Sequence, residues 1–146
     1  MCLRTIDAQP VKCKPAYGYS VKRKERNYNR DGEGEVVYRP LRYPDFTAYK
    51  LGCEYCRAEP AEDIRTSQGM ARGQNITYPS GFHLLTTKAA ARNLAKDWSD
   101  SGVVILRVRI LELIPERTQG KQFIIRLDKP EHVILARRVV FEKEVE

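Results

Sequence analysis

GFHLLTTKAAARNLAKDWSDSGVVILRVRILEL, Gly81 to Leu113, is the stretch that decides the fold. Its opening apolar run, Gly81–Leu85, has the length of a short strand. Thr86 or Thr87 then stands where a helix N-cap belongs, because a threonine hydroxyl accepts from the free N–H groups of a first turn. Ala91, Leu94, Ala95 and Trp98 follow at i, i+3, i+4 and i+7, one face of a helix running to about Trp98. Ser99-Asp100-Ser101-Gly102 stops it. From Val103 to Leu113 the period changes to two, which is that of a strand. Val104, Leu106, Val108 and Ile110 share a face that turns polar only at Glu112, and this face belongs to a core. Val103, Ile105, Arg107, Arg109, Leu111 and Leu113 share the other. Two arginines in neighbouring positions of one strand face need either water or an anionic partner.

Outward from this segment, Gln122–Leu127 and Val133–Phe141 read as two further strands. Upstream, Tyr17–Lys24 alternates, with Tyr17, Tyr19, Val21 and Arg23 on one side. Asn29-Arg30-Asp31-Gly32-Glu33-Gly34 is a turn cluster, and Glu35–Leu41 is a second strand with Pro40 near its end. The two strands predict a hairpin over the glycines. Residues 42–77 contain Pro44, Gly52, Pro60, Gly69 and Gly73 without sustained periodicity. They read as a long irregular, functional segment with a short helical turn near Ala61–Arg65. The order of elements predicts an α+β domain: a mostly antiparallel sheet with one main helix packed on it.

The 146 residues favour one domain, and a chain of this size can bury a real core. A hydrophobic fraction of 42% is that of an ordinary globular protein. No apolar run approaches the roughly 20 residues of a membrane helix. The opening MCLRTIDAQPVKCK lacks the apolar centre of a signal peptide, so a cytosolic protein with reduced thiols is expected. Without secretion, the sequon Asn75-Ile76-Thr77 carries no weight. The net charge is +7. Most of it lies in residues 1–30, where Arg4, Lys12, Lys14, Lys22, Arg23, Lys24, Arg26 and Arg30 face only Asp7 and Glu25. That excess points to an anionic partner or to a solvated face.

Little in the chain resembles catalytic machinery. Cys53-Glu54-Tyr55-Cys56 is half of a zinc site, but Cys2 and Cys13 do not stand at the spacing of a zinc module. The motif does not open a helix after a strand, as a redox pair does. Buried thiols in a loop are the favoured reading. His83 and His132 are the only histidines, and each reads as a positioned core or surface residue. There is no G-x-S-x-G, no P-loop and no G-x-G-x-x-G; Asp31-Gly32-Glu33-Gly34 is too acidic to cradle phosphate. The remaining combination is an aromatic ring at Phe82 with the guanidinium groups of Arg107 and Arg109. Such groups could flank a planar base if their strands are neighbours, while phosphate is held by charge-assisted hydrogen bonds. Phe82 as plain core is the alternative.

The opening Met1-Cys2-Leu3, the strand Gly18-Tyr19-Ser20-Val21, and Tyr78-Pro79-Ser80-Gly81-Phe82-His83 followed by an alanine-rich helix and a strand resemble small phage proteins. The resemblance is to the first class of Thoeris anti-defence proteins. It covers about two-thirds of the chain in order, through short motifs. It implies a sponge without enzymatic activity or cofactor, acting in the host bacterial cytoplasm. Such a sponge binds cyclic ADP-ribose isomers made by TIR-domain proteins. Some members also hold cyclic oligonucleotides (di- and trinucleotides) of the CBASS system at a second site. The resemblance also implies a homo-oligomer, a dimer or a hexamer, with sites near subunit contacts. By position it assigns Phe82 as the base-stacking aromatic, Arg109 with Arg107 as the arginines of the following strand, and Asn93 as a polar contact. Arg57 would contact phosphate, and Lys22 and Arg23 would form a second phosphate site. Phe82→Ala or Arg109→Ala is then expected to lose ligand without unfolding.

Three rivals remain. Gly81–Thr87 with its helix loosely resembles the strand–helix core of ADP-ribosyltransferases, which would need a glutamate such as Glu112 or Glu142 beside the nicotinamide ribose. The basic N-terminal hairpin could bind nucleic acid, with affinity falling steeply as salt rises. A structural phage protein, or one that binds another protein, is the third.

Overall fold

The computed structural model describes residues 5–7, 11–28, 34–41, 48–56, 64–68, 75–79, 81–98, 102–114, 119–123 and 130–146. Among them lie β1 (Thr5–Ile6), β2 (Tyr17–Tyr28), β3 (Gly34–Arg39), β4 (Glu54–Cys56), β5 (Ile64–Gln68), β6 (Asn75–Pro79), β7 (Phe82–Leu85), α1 (Lys88–Asp97), β8 (Val103–Leu113), β9 (Gln119–Phe123) and β10 (Pro130–Val145). Every pairing among these strands is antiparallel.

The two-residue period of β8 sets the architecture. Leu106, Val108 and Ile110 are at most 1% exposed. They meet Phe82 and Leu84 of β7 and Ile134, Ala136, Val139 and Phe141 of β10 in one apolar cluster. The strands that carry them close on themselves. β10 pairs with β7 over Val133–Ala136 and with β8 from Ala136 to Val145. β8 pairs with β2 along Tyr17–Arg23, and the single pairing Tyr19↔Leu85 joins β2 back to β7. The result is a closed four-strand barrel. A ring this narrow has room only for side chains, so its interior is core. Gly18 lies where β2 passes β7: a Cβ there would sit 3.0 Å from Leu84 Cβ. The close approach of the closing strands therefore favours glycine.

A second apolar cluster lies on the outside of the barrel wall. Val21, Leu85, Ile105, Val133 and Leu135, which alternate with interior residues, are covered by Ala90, Ala91 and Leu94 of α1. An isolated ten-residue helix is marginal in water, so this apolar face is what holds it. Thr87 is the N-cap: its Oγ1 accepts from the Ala90 N–H at 3.1 Å. The Trp98 N–H closes the other end onto Ala95 O at 3.2 Å.

Beyond the ring, Arg23–Tyr28 of β2 pair with β3 in the expected hairpin, whose turn lies outside the described residues. β9 and β1 extend the sheet past the first part of β10, and β4 borders its later part. β5 and β6 form a separate two-stranded sheet.

A mostly antiparallel sheet with one short helix agrees with the sequence pattern; closure into a barrel does not follow from it. Several boundaries also move. β2 continues to Tyr28, and β10 spans Pro130–Val145 instead of Val133–Phe141. β9 is Gln119–Phe123 where the pattern predicts Gln122–Leu127, and 124–127 lie outside the described residues. The helical turn near Ala61–Arg65 is corrected at Ile64 and Arg65, which belong to β5 and pair with Pro79 and Tyr78. There the cross-strand pairing of short segments outweighs local helix propensity. β4, β5 and much of β6 therefore occupy a region that reads as irregular.

Candidate functional site

Phe82 is part of the barrel core. It is 6% exposed, and its ring sits edge-on to Tyr49 at 6.0 Å and to Phe141 at 6.2 Å. Arg107 and Arg109 alternate with Leu106, Val108 and Ile110, so they project from the opposite face of the wall. Within this chain, the expected sandwich of a base between Phe82 and these arginines does not form. The reason is the strand period, since interior and exterior residues of one wall cannot share a pocket. Lys22 and Arg23 separate for the same reason. Lys22 Nζ lies over the interior rings of Tyr49 and Phe141, at 5.7 and 5.8 Å from their centroids. Arg23, one residue on, stands opposite Arg39 and Val103. Asn93, on α1, donates from Nδ2 to Glu131 Oε1 at 3.3 Å. Arg57 lies outside the described residues.

Of the expected set, Arg107 and Arg109 are the two that come together, and they do so with residues from three strands. β10 carries a bulge between Phe141 and Lys143, where Glu142 and Lys143 together oppose Arg107. The bulge leaves Phe141 in the core and puts the Glu142 carboxylate on the outer face, between the two arginines. Arg107 donates from Nε and Nη2 to Glu142 Oε2, at 3.2 and 2.9 Å. Arg109 Nε lies 3.6 Å from the other oxygen, Oε1. From β2, Tyr17 stands directly across from Arg109, and its ring stacks under the Arg107 guanidinium at 4.3 Å. Tyr17 is 40% exposed, and the Arg109 side chain is 51% exposed.

Two lysines border the group. Lys14 Nζ donates to Ile110 O at 2.8 Å, and the Ile110 N–H donates to Ala16 O at 3.0 Å. These bonds dock the segment before β2 against the end of β8. Lys143 is exposed and stands opposite Arg107. Two guanidinium groups thus share one carboxylate beside an exposed aromatic ring. The arrangement can stack a planar group and hold an anion by charge-assisted hydrogen bonds. The sequence points to the arginines but not to Tyr17, and it presents Glu142 only as a candidate catalytic acid. The signal for Tyr17 is its place on the same strand face as Tyr19 and Val21, and its pairing with β8 needs the register.

At the mouth of the barrel a different polar group forms. Tyr38 Oη donates to Glu144 Oε1 at 2.7 Å, and Lys24 Nζ lies 2.8 Å from the same oxygen. Burial, aided by the Glu144 carboxylate, pushes the Tyr38 hydroxyl up to about 12. Hydrogen bonds from Lys24 and Tyr38 hold Glu144 below the usual carboxylate value.

The cysteine motif is corrected in one respect: Cys53 and Cys56 are exposed, not buried. They flank an extended segment, where a separation of three residues spans about 10 Å. That is beyond disulfide reach and wrong for a shared metal. Among the described residues no group of three or more His, Cys, Asp or Glu side chains could hold a metal ion. His83 Nδ1 lies 3.2 Å from Gly81 O, and its Nε2 lies 3.3 Å from Tyr78 Oη. A carbonyl only accepts, so in the contact with Gly81 Nδ1 is the donor. His132 Nε2 lies 3.1 Å from Asp7 Oδ2. No helix among the described residues is long and apolar enough to cross a membrane. No family model matches the chain, and no curated protein or solved structure matches it either.

Proposed function

We propose that this protein is a phage anti-defence sponge. In this reading it sequesters cyclic ADP-ribose-type signals, and cyclic oligonucleotides of the CBASS type, without cleaving them, and so blocks effector activation in the host cytoplasm. It acts as a homo-oligomer. The observation that carries the reading is the exposed Tyr17–Arg107 stack with Arg109 beside it. An aromatic platform next to paired guanidinium groups suits a ligand that combines a base with phosphate. The resemblance of its short motifs to Thoeris anti-defence proteins suggests the ligand class. The site moves from Phe82 to Tyr17, while Arg107 and Arg109 keep their roles.

The nucleic-acid reading of the basic hairpin is less well supported. Lys24 is tied to Glu144, Arg39 to Glu25 and Lys50 to Glu35, and Lys22 lies over interior rings. Much of the hairpin's charge is therefore engaged within the fold.

Calorimetric titration with cyclic ADP-ribose isomers and cyclic di- and trinucleotides tests the proposal, followed by heating the complex and chromatography of the supernatant. Tight binding with release of intact ligand is expected. Arg109→Ala should weaken it by about tenfold or more, the effect of one lost charge-assisted hydrogen bond. Altered ligand in the supernatant would instead favour the transferase-like enzyme. Absence of binding to any of these compounds would bring the hairpin and nucleic acid forward.

A further inference from the structure

We infer that Glu142 is a resident counter-ion that occupies the anion position of this site, and that its charge makes the site select diphosphate-bearing ligands over singly charged ones. The inference rests on the proposed binding face. Glu142 has one oxygen on Arg107, at 2.9 and 3.2 Å, and the other 3.6 Å from Arg109. A ligand anion that takes the Nε and Nη2 edge of Arg107 must displace this carboxylate. The Glu142 side chain is 20% exposed, less than either arginine, so it lies beneath them while they border solvent. The β10 bulge fixes it there.

Exchange of one carboxylate for one monoanionic phosphate replaces like with like, and little is gained. A diphosphate brings two negative groups. One can take the place of Glu142 on Arg107, and the other can meet the more exposed Arg109. The resident carboxylate thus works as a threshold that a single charge does not pass. Coulomb attraction among partly exposed groups is modest, which keeps the carboxylate displaceable.

The test compares two probes on the wild-type protein and on its variants Glu142→Gln and Glu142→Asp. The probes are ADP-ribose, a diphosphate diester, and 3′,5′-cyclic AMP, a monoanion. Thermal melts first confirm that each variant is folded. The wild-type protein should prefer ADP-ribose by about tenfold. Glu142→Gln keeps the shape and removes the charge. It should bind cyclic AMP about three- to fivefold more tightly and narrow the preference, an effect of the size expected for one partly exposed charge. Glu142→Asp retains the charge and should keep the wild-type preference. A merely structural role would weaken both probes in both variants and leave their ratio alone. If wild type binds ADP-ribose while Glu142→Gln leaves the ratio unchanged, this inference is overturned and the binding face survives. If Glu142→Gln binds where wild type does not, the resident carboxylate is upheld. Should neither protein bind either probe, the inference falls together with the face it rests on.

Discussion

The two faces of β8 are made by alternate residues of one eleven-residue strand, yet they answer to different physics. Leu106, Val108 and Ile110 enter a ring with no spare volume, where stability depends on shape and each missing atom leaves a void. Arg107 and Arg109 project into water, where charge is screened and side chains can exchange partners. The inner face holds the barrel; on the outer face Ile105 is packed under α1, and only the stretch around Arg107 and Arg109 is left to the proposed ligand. The proposed binding face and the barrel interior then lie on opposite sides of one backbone, separated by the strand period.

Phe82 is the sharpest way to break this comparison. As part of the inner face, Phe82→Ala should destabilise the protein by about 3–5 kcal/mol, the usual cost of removing a buried aromatic ring. Chemical denaturation with a far-UV probe measures it. The resemblance to the anti-defence family implies instead that the same variant loses ligand while folding normally. A variant of normal stability that no longer binds would return Phe82 to the site and undo the division between the faces.

Much of this division is legible in the sequence. The alternation assigns each face from Ile105 to Ile110, though Leu113 joins the interior cluster against it; the helix pattern and threonine cap place α1, and Arg107 and Arg109 stand out as charges in an apolar strand. Three features are not legible. Closure of the ring depends on Tyr19 meeting Leu85, a pairing between segments 66 residues apart that no local pattern encodes. Whether Phe82 points inward depends on that closure, because a four-residue apolar strand, FHLL, is hydrophobic on both sides. The outward turn of Glu142 depends on a bulge, and a bulge is one extra residue in a strand whose sequence otherwise looks regular.

Tyr38 lies between the two regimes. Its ring belongs to the interior cluster while its hydroxyl reaches Glu144 at the mouth. Its ionisation moves from the ordinary value of 10.0 up to about 12. A raised value means that the fold favours the neutral form. The associated stability is fully present below pH 10 and is lost as the pH rises toward 12, on the order of 2 kcal/mol. Denaturation midpoints at several pH values between 9 and 12 should show wild type falling more steeply than Tyr38→Phe. Parallel alkaline curves for the two proteins would mean that the tyrosine is not buried as described. Glu144 has the opposite sign. Its lowered value means that its contribution is present above the usual carboxylate range and is lost as the pH falls through the folded value.

The smallest expected effect is the most telling for the outer face. Arg107→Ala removes two hydrogen bonds to Glu142 and the stack on Tyr17. Inside the barrel such a loss would be severe. On the wet face the ion pair contributes roughly 0–1 kcal/mol and an exposed cation–π contact about 0.5–1 kcal/mol. The side chain is 31% exposed, so screening reduces the first of these further. Urea denaturation of wild type and Arg107→Ala should therefore differ by about 0.5–1.5 kcal/mol at low salt. The ionic part of the difference should fade at 1 M salt, where the screening length is about 3 Å. A salt-independent loss of more than about 2 kcal/mol would show that Arg107 is a structural member of the wall. The fold would then depend on the outer face as heavily as on the inner one, and the arginines there would not be available for exchange with a ligand.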